Sequence, residues 1–159
     1  MTMDQKTDNL TAEDIADHLL YKTGQALAPG RFHDPTDCFI LPNAVETPEG
    51  VRILRTPDDV RRVFEGVRAY FESCGVVDLV RTVVEAKFTS EDTIESTHVA
   101  RLLKSGGQAF RAPYPAYSVL KRCDDGAWRI ASTTYAIVDS RKHNEAFLAW
   151  RSKDDTADA

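Results

Sequence analysis

Hydrophobic and polar residues alternate along four long stretches in the second half of the chain, as in β-strands whose two faces meet different surroundings. The stretches are Val76–Phe88, Thr93–Lys104, Tyr114–Cys123 and Trp128–Val138. Only short turns separate them, at Ser90-Glu91-Asp92, Ser105-Gly106-Gly107 and Asp124-Asp125-Gly126. Because these residue types favour tight turns, the pattern predicts four consecutive antiparallel strands.

Two amphipathic helices are predicted ahead of these strands. The first begins after Thr11, a capping residue, and continues with hydrophobic residues at helical spacing until Pro29-Gly30. The second has Thr56 as its N-cap and Pro57 at its first helical position, and it ends at Gly75. Both helices should therefore present one hydrophobic face to a core.

Shorter elements complete the prediction. Phe39-Ile40-Leu41 and Val51–Leu54 predict a short strand pair joined around Pro48-Glu49-Gly50, and Asn144–Trp150 predicts a short final helix. Residues 1–10 and 151–159 are polar and are expected to be disordered, which leaves one domain over residues 11–150. This order predicts an α+β fold, with a strongly curved antiparallel sheet wrapped around the N-terminal helices.

Charge argues against a nucleic-acid partner. The 159 residues carry a net charge of −5, with a pI near 5.4, whereas a nucleic-acid binder shows a basic stripe. The densest basic cluster consists of Arg52, Arg55, Arg61 and Arg62. Acidic residues are interleaved with it, so we expect a solvated mixed surface there.

The sequence predicts a cytoplasmic location and no association with a membrane. No hydrophobic run approaches the roughly 20 residues that cross a bilayer, and the N-terminal segment lacks the hydrophobic core of a signal peptide. Cys38, Cys74 and Cys123 are odd in number and far apart, which fits reduced thiols better than disulfides.

The stretch from Tyr117 to Ile130, YSVLKRCDDGAWRI, combines an Asp-Gly turn with a Trp-x-Ile strand. Together with the element order over residues 11–140, it resembles the nuclear transport factor 2-like superfamily, which includes the SnoaL-like proteins and the ketosteroid isomerases. The resemblance implies a cone-shaped α+β fold. It leaves the function open, because members include isomerases, dehydratases, cyclases, transport adaptors and structural subunits.

Strand periodicity assigns an inner face that would line a pocket against the helices. The residues assigned to it are Val76, Asp78, Val80, Thr82, Val84, Ala86 and Phe88; Ile94, Ser96, His98, Ala100 and Leu102; Tyr114, Ala116, Ser118 and Leu120; Trp128, Ile130, Ser132 and Thr134. The polar and aromatic members are the candidate ligand contacts, namely Thr82, Ser96, Tyr114, Ser118, Trp128 and Ser132.

The opposite face has a mixed aromatic, β-branched and charged character. Its residues are Arg81, Glu85, Glu95, Thr97, Arg101, Tyr117, Val119, Arg129, Thr133 and Tyr135. Such a face predicts a homodimer that pairs sheet on sheet, as is common in the resembled superfamily. The alternative is a solvated face stabilised by cross-strand pairs.

His98 is the candidate acid or base, since it interrupts a hydrophobic strand face and its imidazole titrates near neutral pH. Asp78 is its candidate partner across neighbouring strands, and the alternative role for His98 is a hydrogen-bonded core histidine. Asp37 is expected to form a turn. Tyr21 falls opposite the hydrophobic stripe of its helix, which disfavours the oxyanion role of a first-helix tyrosine in ketosteroid isomerases.

No sequence motif requires a metal, nucleotide or flavin, so no cofactor is expected: the histidines lack ligand spacing, and no phosphate loop or nucleophile elbow is present. The primary prediction is a protein that binds a small, largely apolar molecule in a conical pocket. The alternatives are a cofactor-independent isomerase, dehydratase or cyclase that uses His98, and a structural or interaction dimer without turnover.

Overall fold

The computed structural model describes residues 10–27, 34–137 and 141–147. Its helices are α1 (Ala12–Leu27), α2 (Pro57–Ser73) and α3 (Arg141–Phe147). Its strands are β1 (Phe39–Thr47), β2 (Gly50–Leu54), β3 (Val76–Ser90), β4 (Thr93–Lys104), β5 (Tyr114–Arg122) and β6 (Trp128–Tyr135). The predicted α+β class and element order are confirmed. The disorder expected of residues 1–10 and 151–159 falls, apart from Leu10, on segments outside the described residues.

Both long helices begin with reciprocal caps. At α1, the Thr11 hydroxyl accepts a hydrogen bond from the Asp14 amide at 3.1 Å, and the Asp14 carboxylate accepts one from the Thr11 amide at 3.2 Å. At α2, Thr56 and Asp59 make the same exchange, at 3.2 and 3.1 Å. These bonds satisfy amides that have no partner inside a helix, which is why both starts could be predicted. The short helix α3 begins at Arg141 rather than at the predicted Asn144.

The six strands form one open sheet in the order β2-β1-β6-β5-β4-β3. Strands β3 to β6 pair antiparallel, as predicted, and so do β1 and β2. Strand β1 runs parallel to β6, so the sheet is mixed and not wholly antiparallel. The two are far apart in sequence, so no tight turn dictates their relative direction. The Asn43 side-chain amide joins them by donating to the Ile130 carbonyl at 2.8 Å.

The helices cover one face of the sheet and bury two hydrophobic clusters against it. Around α1, the cluster contains Ile15, Leu19, Ile94, Leu120 and Ile130, among others. Around α2, it contains Val60, Val67, Phe71, Leu54 and Leu102, among others. Each such side chain contributes roughly 1.5–3 kcal/mol when it is fully buried, so these contacts hold the helices on the sheet.

β-Bulges set which side chains of β3 point inward. Strand β3 has 15 residues opposite the 12 of β4. The pairing register shifts at three places, leaving Val77, Val84 and Thr89 without a direct partner. Since each extra residue reverses the alternation of faces, the middle of β3 is inverted relative to a regular strand.

The same effect occurs once in β6. Val119 pairs with Ser132 and Leu120 pairs with Ile130, so Ala131 is the extra residue. By contrast, β4 and β5 pair without any register shift. The predicted inner faces are therefore right for β4 and β5 and wrong for the middle of β3 and the end of β6.

The predicted solvated basic cluster also needs one correction. Arg52 is fully buried, because it lies on the inward side of β2 beside Leu54 and opposite the buried Val45. Arg55, Arg61 and Arg62 are exposed, as expected.

Candidate functional site

A cavity lies between the two long helices and the inner face of the sheet. The space open to the centre of a water-sized molecule is about 40 Å³. Its hydrophobic lining consists of Leu20, Leu27, Phe39, Val45, Leu54, Val63, Phe64, Val67 and Ile130. Its polar lining consists of Thr23, Arg81, His98, Ser118, Thr133 and Tyr135. This combination of a hydrophobic wall and a few polar groups is typical of a small-molecule site.

Cross-strand pairing brings the polar groups to one region of the sheet. Tyr135 pairs with Ala116, and Ala116 pairs in turn with His98, so the three form a row across β6, β5 and β4. Arg81 pairs with Ala100 in the adjacent row. Side chains of directly paired residues lie on the same face of a sheet. The two small alanines therefore leave open space between the phenol, the imidazole and the guanidinium.

His98 lines this cavity and is only 3% exposed. Its Nε2 atom has no hydrogen-bond partner among the described residues. Burial, with a further contribution from the positive charge of Arg81, lowers the pKa of the imidazole from 6.5 to about 3. The ring is therefore neutral at physiological pH, and its buried Nε2 makes no hydrogen bond to the described residues.

Arg81 brings a positive charge to the cavity. Its Nη2 atom donates to the Leu20 carbonyl and to the Thr23 hydroxyl, each at 2.6 Å, so α1 fixes the position of the guanidinium. A Cβ at Gly24 would lie 3.3 Å from Nη2, which shows how closely this turn of the helix approaches. Burial lowers the pKa of Arg81, yet an arginine side chain stays charged in proteins.

Hydroxyl groups occupy the other side of the cavity. The Ser118 and Thr133 oxygens are 3.5 Å apart, at the limit of a hydrogen bond. Burial raises the pKa of the Tyr135 phenol, which therefore remains protonated at neutral pH. Each of these groups can exchange hydrogen bonds with a bound polar atom.

Three predicted site residues lie on the outer face instead. Asp78 pairs with Leu103, Thr82 pairs with Val99, and Ser132 pairs with Val119. The bulges at Val77 and Ala131 cause these reversals. The predicted His98–Asp78 pairing is wrong, since Asp78 is exposed on the opposite side of the sheet.

Three others lie on the inner face of the sheet but away from the cavity lining. Ser96 is buried in the row that joins Ala86 to Ser118. Tyr114 lies in the core around α2, where its hydroxyl is 3.3 Å from Nε2 of His143, and burial raises its pKa. Trp128 packs its ring edge to face with Phe88 near the start of α1. Of the eight predicted site residues, His98 and Ser118 are those that line the cavity.

Sequence reasoning missed Arg81, Thr133 and Tyr135, all of which it assigned to the outer face. A signal for the inversion does exist in β3, where hydrophobic residues stand next to each other at Val76-Val77 and Val83-Val84. Such doublets break the strict alternation of a regular strand, and both coincide with a bulge.

Two further properties concern the described residues alone. No three of their His, Cys, Asp and Glu side chains converge in a way that could hold a metal ion. Their helices are all too short or too polar to cross a membrane.

Comparison with solved structures defines the fold. A ketosteroid isomerase-like protein from Erwinia carotovora atroseptica superimposes with a TM-score of 0.58 at 17% identity, covering 82% of this chain and 95% of its own. An NTF-2 like protein of unknown function from Shewanella oneidensis gives a TM-score of 0.60 at 14% identity, covering 77% and 97%. The chain has the nuclear transport factor 2-like fold.

A third matching structure was solved with a ligand. This protein from Catenulispora acidiphila, in complex with S-DNPA, has a TM-score of 0.57 at 16% identity and covers 77% of this chain and 90% of its own. No protein-family model matches the sequence, and no curated protein is significantly similar to it. These likenesses show the fold, and the fold does not assign an activity.

Proposed function

We propose that this protein binds a small, largely apolar molecule in the cavity between its helices and its sheet. The observation that carries the proposal is that His98 lines a largely hydrophobic cavity while its buried Nε2 has no hydrogen-bond partner among the described residues. A buried polar atom without a partner costs about 1–3 kcal/mol. A ligand that hydrogen-bonds to this nitrogen would recover that free energy while its remaining surface contacts hydrophobic side chains.

The size of the cavity restricts the ligand. Its 40 Å³ exceeds the roughly 10–15 Å³ needed for one water molecule, but an apolar cavity that accepts benzene measures about 150 Å³. Drug-sized ligands fill roughly 300–1,000 Å³. The proposed ligand is therefore smaller than a steroid, unless the helices move apart to admit it.

An unbiased metabolite screen by ligand-detected NMR tests the proposal. Val67 lines the cavity and is fully buried, so Val67→Phe should fill the space and abolish binding of any hit. The matched control is Val99→Phe, which adds the same volume on the outer face. Hits that bind both variants equally well would place the ligand elsewhere and overturn the proposal.

A second candidate function is cofactor-independent isomerisation, dehydration or cyclisation with His98 as acid or base. The observation in its favour is that the imidazole contacts the cavity. A pKa of about 3 makes this ring a weak base at neutral pH, where a general base works best with a pKa near the operating pH. Binding is therefore the better supported function. Loss of turnover with retained binding in His98→Gln would instead establish the enzyme.

We also propose that two copies associate through the outer face of the sheet. Val80, Val84 and Tyr117 lie there and are 38%, 63% and 47% exposed. Their neighbours on this face include opposite charges that can pair across the sheet, such as Lys87 and Glu95. A face that combines exposed hydrophobic and complementary charged groups suits a self-complementary interface.

Sedimentation velocity at micromolar concentration tests the association. The wild type should sediment as a dimer, and Tyr117→Glu should shift it towards the monomer. Tyr135, which was predicted to share this face, is excluded from the test because it lines the cavity. Tyr21→Glu is the control, since Tyr21 is 67% exposed on α1. A wild-type monomer would contradict the dimer.

We also propose that the protein is located in the cytoplasm. Cys38, Cys74 and Cys123 are all free thiols in the structure, which suits a reducing compartment. Fractionation of cells that express the protein is the direct measurement.

A further inference from the structure

We propose that the ligand is a small carboxylate with an apolar body, and that Arg81 binds its negative charge. The inference rests on the proposed binding function and adds the chemical class of the ligand. It is carried by two observations on residues that line the same cavity. Arg81 has no acidic partner among the described residues, and His98 has a buried nitrogen that makes no hydrogen bond to them.

Arg81 makes its hydrogen bonds to neutral groups. Both acceptors, the Leu20 carbonyl and the Thr23 hydroxyl, belong to α1 and are reached by Nη2 alone. Among the residues that the structure describes, no Asp or Glu forms an ion pair with Arg81, whereas Arg61, Arg129 and Arg141 each have carboxylate partners. Arg81 is half-buried, and taking a charge out of water costs free energy unless it is paired, so a negatively charged ligand in the cavity would stabilise this guanidinium.

The guanidinium has donors left for a ligand. Nη2 is engaged by α1, and the part of the chain that the structure describes provides no partner for Nε and Nη1. Arginine is suited to bind a carboxylate through two parallel hydrogen bonds, which are charge-assisted and therefore strong. Because Thr23 and Leu20 hold the guanidinium in place, little side-chain entropy is lost when the anion binds.

His98 supplies a second contact on the same side of the cavity. It lies on β4 two positions from Ala100, the residue that pairs with Arg81. In the neutral tautomer that carries its proton on Nε2, the imidazole donates to a carboxylate oxygen. The opposite wall, formed by Leu27, Val63 and Val67 of the helices, then contacts the apolar body. The arrangement therefore selects short hydrocarbon acids over neutral molecules of the same shape.

Two isosteric probes test this inference, acetate and acetamide, because both are smaller than benzene and suit a cavity of about 40 Å³. Binding is followed through the methyl NMR signals of Leu27, Val63 and Val67. A hydrogen bond to a charged group contributes enough that the acid should bind about tenfold more tightly than the amide. The preference should fall to about twofold or less in Arg81→Met, because the amide bonds with neutral groups equally well.

Two further variants complete the design. Arg101→Met removes an arginine from the outer face of the neighbouring strand, so it should keep the preference for the acid. Arg81→Lys keeps the positive charge but lacks the planar guanidinium that makes two parallel hydrogen bonds, so it should retain a reduced preference for the acid. This variant serves as the test if Arg81→Met does not fold.

The outcomes separate this inference from the proposed function. Equal binding of the acid and the amide, with shifts at the cavity methyl groups, would overturn the anion inference and leave the binding function intact. An acid preference that stays near tenfold in Arg81→Met, or that is undiminished in Arg81→Lys, would also overturn it. If neither probe shifts the cavity methyl groups in the wild type, both proposals fail.

Discussion

Acid should destabilise this protein through the buried imidazole of His98. Its side chain is 3% exposed, and burial together with Arg81 lowers its pKa from 6.5 to about 3. Between these two values the unfolded chain carries a proton on His98 and the folded chain does not. Because the unfolded state binds more protons there, stability increases with pH across this window and is lost as the pH falls.

The magnitude follows from the width of the window. For each pH unit in which His98 is protonated only in the unfolded state, the free energy of unfolding falls by about 1.4 kcal/mol. The unfolded imidazole takes up most of its proton between about pH 7 and about pH 5, so the free energy of unfolding should drop by about 2 kcal/mol through His98 alone. The folded-state pKa lies below both conditions, so no compensating proton uptake occurs in the native state.

Urea unfolding of the wild type and of His98→Gln at about pH 7 and about pH 5 measures how much unfolding free energy each protein loses between these two values. Both proteins contain the other three histidines, so the difference between their losses of unfolding free energy gives the contribution of His98. Between about pH 7 and about pH 5, His98→Gln should lose about 2 kcal/mol less unfolding free energy than the wild type. Equal losses of unfolding free energy in the wild type and in His98→Gln would refute the reasoning. An NMR spectrum that shows the His98 imidazole charged in the folded protein near pH 5 would also refute it.

Three further predictions concern stability and the outer face. Thr56→Ala should lower the free energy of unfolding by about 1 kcal/mol, because it breaks the cap of α2; an unchanged urea midpoint would contradict this. Leu102→Ala should cost about 2–5 kcal/mol in the same assay, since Leu102 is 1% exposed in the core around α2, and a loss below 1 kcal/mol would count against that packing. Asp78→Asn should change neither stability by more than about 0.5 kcal/mol nor NMR-detected ligand binding, because Asp78 is exposed on the outer face; loss of binding would restore it to the site.

Local signals made the helices predictable. The capping pairs at Thr11 and Thr56 act within a single turn, and the hydrophobic stripe that follows each of them has one period throughout. Strands β4 and β5 were predictable for a similar reason, since they pair without a shift and keep their alternation from end to end. In these elements the local pattern and the tertiary contacts agree.

The parallel pairing of β1 with β6 could not be predicted in this way. It joins segments separated by most of the chain, and its register depends on contacts such as the bond from Asn43 to the Ile130 carbonyl. The burial of Arg52 is a similar case. The surrounding charges suggested a surface, whereas the pairing of β2 with β1 places this side chain inward.

The inverted segment of β3 decides which chemistry the cavity can support. In a regular strand, Asp78 would share a face with His98, and a nearby carboxylate favours the charged imidazole and thus a stronger base. The bulges at Val77 and Val84 turn Asp78 outward and Arg81 inward. A nearby cation does the opposite, so the same histidine becomes a neutral residue in the cavity lining. A shift of one residue thus exchanges a site for proton abstraction for a site that attracts an anion. Because a regular strand would have brought Asp78 to this face, binding of a carboxylate at Arg81 would be direct evidence that the bulged register exists in solution.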